Sequence, residues 1–247
     1  MIEMLVSAAL LLPSPLAQDD ELPPVTYPAL PATAADAEGF VPNGWTLETR
    51  QSGDLNGDGL PDLALALKQR DPKNILPNEG GMCRETIDTN PRMLAVALAR
   101  RTGGYRLVME NHTLIPRYDS ACADDWFDPD GQSGGGLTLV RGTVRVRLGR
   151  FMNAGGWSSG SSDFVFGWRN NGIRLIGFDY ANVQRNTGET QKLSINYLIR
   201  RVQIVRGMID SEKTRTSEST IPARPLPTID QIGNGMEFDP NGLVGKL

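Results

Sequence analysis

A short acidic loop in the first quarter of the chain constrains the fold more than any other feature of the sequence. Oxygen-bearing side chains occupy the first, third, fifth and ninth positions of residues 54–62, and Gly59 occupies the sixth. This spacing lets alternate side chains and one main-chain carbonyl wrap a hard cation, with the glycine at the sharp turn. It predicts a calcium site whose ligands are Asp54, Asn56, Asp58, Asp62 and the main-chain carbonyl of Leu60.

The residues after the loop favour a strand rather than a helix. An EF-hand places a bidentate Glu at the twelfth position and continues into a helix. Here the twelfth position is Leu65, and residues 63–67 form an apolar run. We therefore expect a structural metal site whose remaining ligands come from water or from elsewhere in the fold. The alternative is an acidic turn that is held by hydrogen bonds of its own Asx side chains.

The rest of the pattern predicts an all-β protein made of antiparallel hairpins, arranged as a sandwich or a partial propeller, with little helix. Short apolar or alternating runs are separated by turn residues, and no stretch longer than about ten residues keeps a helical period. Asn170-Asn171-Gly172 is the strongest hairpin signal. The predicted strands cover residues 46–51, 62–69, 93–99, 105–110, 137–140, 143–148, 163–168, 173–180, 193–199 and 202–205.

Four regions are predicted along the chain. Residues 1–17 have the apolar run and small-residue end of a secretory signal, and residues 18–39 form a linker rich in Pro and Ala. Residues 40–210 form the β domain that contains the loop, and residues 211–247 form an irregular tail. Export to the periplasm or the medium is expected.

Two cysteines fit an exported protein. Cys83 and Cys122 are 39 positions apart and lie in the two long polar stretches, residues 70–90 and 120–136. Oxidising compartments favour a disulfide between them, whereas a cytosolic protein would keep two free thiols. If the bond forms, it ties together the two loops in which recognition is most expected.

Composition excludes several classes of function. The net charge is -4, which gives no basic footprint for nucleic acid, and no run of about eighteen apolar residues predicts a transmembrane helix. His112 is the single histidine, and no nucleophile with a partner base is evident. One acidic cluster suggests a second cation site or a glycosidase-type acid pair, but a polar loop with a turn is favoured, because turn chemistry explains these residues unaided. Its members are Asp124, Asp125, Asp128 and Asp130.

The loop resembles the calcium loop of FG-GAP and VCBS-type repeats, which carry one copy per propeller blade. This chain has one copy. A broader similarity, spanning residues 40–205, is to uncharacterised exported bacterial proteins that carry a single such loop. It is carried by segments 40–45, 90–94, 103–107, 176–179, 187–189 and 194–197. The resemblance implies export, an all-β fold and calcium binding, and it implies no enzymatic activity.

These observations predict an exported calcium-binding β domain with a structural metal. It would act as a non-enzymatic binding or envelope-associated module, with a protein or glycan as its partner. The alternative is a carboxylate-dependent hydrolase centred on the loop from Asp124 to Asp130.

Overall fold

The computed structural model describes residues 22–79, 81–132 and 134–247, and these residues fold mainly into antiparallel β-strands. The all-β prediction is confirmed. The predicted signal at residues 1–17 lies outside the described residues. None of the helical segments in the described ranges has the length and apolar character needed to cross a bilayer.

Ten of the fourteen strands in the described residues, numbered in chain order, correspond to predicted ones, and most of these are a few residues longer than predicted; the other four were not predicted. The strands are β1 Thr33–Ala34, β2 Trp45–Gly53, β3 Asp62–Gln69, β4 Ile75–Pro77, β5 Thr86–Asp88, β6 Arg92–Ala99, β7 Tyr105–Asn111, β8 Gly136–Val140, β9 Thr143–Arg150, β10 Ser158–Arg169, β11 Gly172–Gln184, β12 Glu189–Asn196, β13 Arg201–Met208 and β14 Ser211–Thr220. Short 3₁₀ turns occupy Glu38–Phe40, Pro72–Asn74, Pro240–Gly242 and Val244–Lys246.

Two antiparallel sheets contain most of these strands. The first has the order β1-β7-β6-β3-β2, and the second is a seven-stranded meander from β14 to β8. The strands β4 and β5 form a separate small hairpin. The meander follows from its turns, since tight connections join consecutive antiparallel strands.

The main core lies between the two sheets. Alternate residues of β3 divide between its two faces, so that Ala64 and Ala66 join the main core while Leu63, Leu65 and Leu67 face the other way. This division explains the unbroken apolar run, because a strand that is buried on both faces has no polar side. From the second sheet, Phe164 and Phe178 fill the same core, with ring centroids 5.2 Å apart.

From residue 22 on, the N-terminal segment covers the outer face of the first sheet, which corrects the predicted linker over the described part of 18–39; residues 18–21 lie outside the described residues. Leu30, Ala37 and Phe40 are buried against this face. The strand β1 pairs with β7. The segment has few apolar residues and many prolines, so its composition resembles a tether. Leu30, Ala37 and Phe40 nevertheless lie in the cluster on this face, with Tyr27 and Ala34 packed against it, so this part of the chain belongs to the folded domain.

The C-terminal region also differs from the predicted irregular tail over 211–247. Residues 211–220 form the edge strand β14, which pairs with β13. The remainder is irregular and lies across the main core, where Ile229 and Ile232 are buried. The Phe238 ring lies 5.7 Å from Phe164 and 5.2 Å from Phe178. The tail therefore packs on the second sheet and forms part of the main core.

The predicted disulfide is confirmed. Cys83 and Cys122 are bonded, with Cα atoms 5.1 Å apart. The bond joins the segment that contains the β4–β5 hairpin to the loop before β8, as expected from the positions of the two cysteines.

Candidate metal centre

The acidic loop connects β2 to β3 and lies where the two sheets meet. Its ends are held by the pairing of Gly53 with Asp62, the last pair of that ladder. Leu55 inserts into the main core. A Cβ atom on Gly53 would come within 2.5 Å of the Leu139 Cδ2 atom of β8, so the glycine allows close contact with the second sheet. A change in the loop therefore acts on the seam between the sheets.

Asp54 organises the turn. Its Oδ1 atom accepts hydrogen bonds from the backbone N–H groups of Gly57 at 2.7 Å and Asp58 at 3.2 Å, and Oδ2 accepts one from Gly59 at 2.9 Å. These donors, Gly59 first, lower the pKa of Asp54 below its ordinary value, because they favour the charged carboxylate. Asp54 is thus an ionised carboxylate around which the loop is wrapped.

Two glycines make this wrapping feasible. Gly57 and Gly59 have φ angles of 82° and 83°, which lie in the left-handed region where a side chain is strained. The sequence pattern accounts for Gly59 at the sixth position. Gly57 is needed because the backbone must turn at this residue for the N–H groups of Gly57 and Gly59 to reach the Asp54 carboxylate.

Asn56 and Asp58 are held by bonds within the loop. The Asp58 N–H donates to Asn56 Oδ1 at 2.9 Å, and Asn56 Nδ2 donates to Asp58 Oδ2 at 3.1 Å. The Leu60 N–H donates to Asp58 Oδ1 at 2.8 Å. Such Asx turns orient the side-chain oxygens, and they are also what the acidic-turn alternative predicts.

Asp62 is fully buried and binds backbone on two sides. Its Oδ2 accepts from the Leu55 N–H at 2.9 Å, and its Oδ1 accepts from the Ala99 N–H at 2.8 Å. Burial raises the pKa of Asp62; the two N–H donors oppose this rise, and the nearby Asp58 and Asp54 charges add to it. Asp62 therefore ties the loop to β6, and its charge is electrostatically unfavourable.

No basic side chain of the described residues pairs with these acids. Within residues 22–79, 81–132 and 134–247, no Lys or Arg lies within 4.0 Å of the carboxylates of Asp54, Asp58 or Asp62. The donor types and the backbone path suit calcium, which prefers carboxylate and carbonyl oxygens. The three carboxylates do not gather into one cluster, however: the described residues hold no group of three acidic, His or Cys side chains able to bind a metal.

Acidic side chains of the cluster from Asp124 to Asp130 form ion pairs and hydrogen bonds within the protein. Asp125 forms an ion pair with Arg92, which also pairs with Glu48. Burial raises the pKa of Asp125, but the Arg92 hydrogen bonds and charge outweigh it, so the pKa is lowered. Asp124 accepts the Gln132 N–H at 2.9 Å.

The remaining contacts in this loop are also local. Asp128 Oδ1 accepts the Asp130 N–H at 2.9 Å, and Phe127 is buried beneath the loop. Outside this loop, the single histidine, His112, stacks on Tyr27 of the N-terminal segment, with ring centroids 4.1 Å apart. A turn structure accounts for the hydrogen bonds of the acidic cluster without a bound substrate.

One cross-strand pair of acidic residues was not identified from the sequence. Asp163 on β10 lies directly opposite Asp179 on β11, and Arg145 and Arg147 each approach Asp163 at 3.5 Å. Burial raises the pKa of Asp163; the two arginines lower it, and Asp179 raises it further. The predicted hairpin brings these strands together through a turn at Asn170 and Asn171, but a bulge between Val165 and Phe166 sets which residues face each other.

No family model, curated protein sequence or solved structure matches this chain.

Proposed function

We propose that the protein is an exported calcium-binding β domain whose metal is structural and which serves as a non-enzymatic binding or envelope-associated module. One observation carries the proposal: among the described residues, no Lys or Arg forms an ion pair with any of the three carboxylates in this nine-residue loop. The raised pKa of the buried Asp62 is consistent with this uncompensated charge. A divalent cation would neutralise this charge. The proposed ligands are Asp54, Asn56, Asp58, Asp62 and the main-chain carbonyl of Leu60.

The position of the loop defines what the ion would do. Because Leu55 lies in the shared core and Gly53 contacts β8, a rigid loop would hold the first hairpin against the second sheet. Binding to the folded state only would stabilise it by ~2.7 kcal/mol at a calcium concentration about one hundred times Kd. The loop already has its own hydrogen bonds, so we expect the domain to stay folded without calcium.

Export is supported by the disulfide. Bonds of this kind persist in oxidising compartments and are rare in the cytosol. The proposed cut after Ala17 would place Gln18 at the start of the mature chain, and mass spectrometry of the exported protein would read that end directly.

A non-enzymatic role is supported by the state of the candidate acids. A glycosidase pair needs one carboxyl that holds a proton near neutral pH. The ion pair with Arg92 instead favours the charged form of Asp125. The hydrolase alternative remains a hypothesis; turnover of glycan or phosphoester substrates that Asp128→Ala abolishes would establish it.

Thermal unfolding with calcium and with chelator tests the proposal. Millimolar calcium should raise the Tm of the wild-type chain, because extracellular sites commonly have Kd values of roughly 10⁻⁴–10⁻³ M. Asp58→Asn should abolish the shift, whereas Asp130→Asn, an exposed acid outside the loop, should keep it. A Tm that is the same in calcium and in chelator would refute calcium binding. An equal loss of the shift in Asp130→Asn would refute the assignment to this loop.

A further inference from the structure

A cavity of about 250 Å³ lies beneath the C-terminal segment, far along the chain from the acidic loop. It is bordered by the β12–β13 turn on one side and by residues 221–227 and 238–241 on the other. Its volume falls just below the roughly 300–1,000 Å³ of most small-molecule sites, so a ligand here would be small.

Much of the cavity lining is apolar, and the wall formed by residues 221–227 is fixed in position. Pro225 and Pro227 have φ angles fixed by their rings, which leaves this wall little freedom to lose on binding. The wall is anchored at both ends, since the Ile221 N–H donates to the Arg200 carbonyl at 3.0 Å and the Leu175 N–H donates to the Pro227 carbonyl at 2.9 Å. The site is therefore formed before a ligand arrives.

Two arginines give the cavity its charge. Arg200 and Arg224 both line it, and neither has a carboxylate within 4.0 Å in the described part of the chain. The one acid in the lining, Asp239, accepts the Val244 N–H at 2.6 Å and the Gly245 N–H at 3.1 Å. Its charge is thus partly compensated by backbone donors, and the unpaired charge at the cavity is positive.

Tyr197 adds a phenol hydroxyl to the lining. Its hydroxyl has no hydrogen-bond partner among the described residues, and burial raises its pKa to about 12. The group therefore stays a neutral phenol that can donate to an acceptor. Phe238 and Leu226 provide apolar surface in the same lining.

We propose that this cavity binds a small organic carboxylate, with its apolar body between Phe238 and the proline wall and its carboxylate against Arg224, Arg200 and the Tyr197 hydroxyl. Arginine is well suited to this role, because its planar donors match the geometry of a carboxylate. The proposal is independent of the calcium loop.

Titration calorimetry with benzoate and phenylacetate, each beside its neutral amide, tests the charge requirement. The carboxylates should bind and the amides should bind at least tenfold more weakly. Inorganic phosphate should not compete, because it cannot use the apolar wall. Amides that bind as tightly as the acids, full competition by phosphate, or no carboxylate binding at millimolar concentration would each overturn the proposal.

A matched pair of variants locates the site. Arg224→Ala should raise the Kd of phenylacetate about tenfold, the factor expected for one lost charge-assisted bond. Arg169→Ala should leave the Kd unchanged, since that exposed side chain contacts the Trp168 carbonyl and lies outside the cavity. Equal effects of the two variants would overturn the assignment.

Discussion

Asp125 receives two parallel hydrogen bonds from Arg92, from Nη1 to Oδ1 at 2.8 Å and from Nη2 to Oδ2 at 2.7 Å. The Arg92 guanidinium is almost fully buried, lies over the Phe127 ring at 5.3 Å and also binds Glu48. The pair fastens the loop before β8 to the first sheet. Burial would lower the pKa of Arg92, but its two carboxylate partners outweigh that effect and raise it.

Asp125→Asn should destabilise the fold by about 3 kcal/mol. Removing one member of a buried ion pair leaves its partner poorly compensated, which typically costs this much. The lowered pKa of Asp125 means that its contribution is present above the ordinary value of 3.8 and is lost as the pH falls through the folded-state pKa. The stability gap between wild type and variant in urea unfolding should therefore persist near neutral pH and close in acid.

The exposed acid of the same loop provides the control. Asp130→Asn should change the unfolding free energy by no more than about 0.5 kcal/mol at any pH, as is usual for surface positions. A gap for Asp125→Asn that stays constant into strong acid would show that the ion pair does not stabilise this loop.

Reducing the Cys83–Cys122 bond should lower the free energy of unfolding by up to roughly 4 kcal/mol, the chain-entropy value for a loop of this length. The measurement compares Tm with and without reductant, and repeats both in a Cys83→Ser/Cys122→Ser double variant. The double variant should have the same Tm as the reduced wild type, and adding reductant should not change that Tm. Equal Tm values for oxidised and reduced wild type would contradict a stabilising role.

Local patterns predicted the parts of the fold that depend on neighbouring residues. The apolar run at residues 63–67 predicted β3, and Asn170 and Asn171, with φ angles of 50° and 55°, adopt the turn expected between β10 and β11. The spacing of the acidic loop predicted a turn with glycine at its sixth position. In each case a few adjacent residues determine the local backbone.

The elements that escaped prediction depend on partners far along the chain. Every residue of β14 is exposed, so the strand has no apolar alternation and is defined by its pairing with β13. The N-terminal segment uses isolated residues such as Leu30 on a sheet that forms later in the sequence. The cross-strand pairing of Asp163 with Asp179 depends on a bulge in the β10–β11 pair. Single-sequence patterns carry little information about such contacts.

Leu30→Ala tests whether the N-terminal segment is part of the domain. The side chain is buried against the first sheet, and truncating a buried leucine costs about 2 kcal/mol or more. Leu198→Ala is the matched control, because that side chain is 49% exposed and should tolerate the change. Urea unfolding measures both. If the two variants were equally stable, residues 22–39 would act as a linker after all.

Asp163→Asn should stabilise the protein at neutral pH. The change removes a buried charge opposite Asp179, and cross-strand charge pairs are worth roughly 0.2–1 kcal/mol. The lost contacts to Arg145 and Arg147 cost little, because both arginines are about half exposed. Because the pKa of Asp163 is raised, the wild-type carboxylate takes up a proton as the pH falls through that pKa. Its unfavourable buried charge is then removed. The advantage of the variant should therefore disappear toward the ordinary value of 3.8.

A double-mutant cycle separates the repulsion between Asp163 and Asp179 from the cost of burial. Asp179→Asn keeps an oxygen that can accept the Ser194 hydroxyl, which donates to Asp179 Oδ1 at 2.6 Å. If the two carboxylates repel each other, Asp163→Asn should gain less in the Asp179→Asn background than in wild type. Strictly additive unfolding free energies would assign the raised pKa of Asp163 to burial, with no measurable contribution from Asp179.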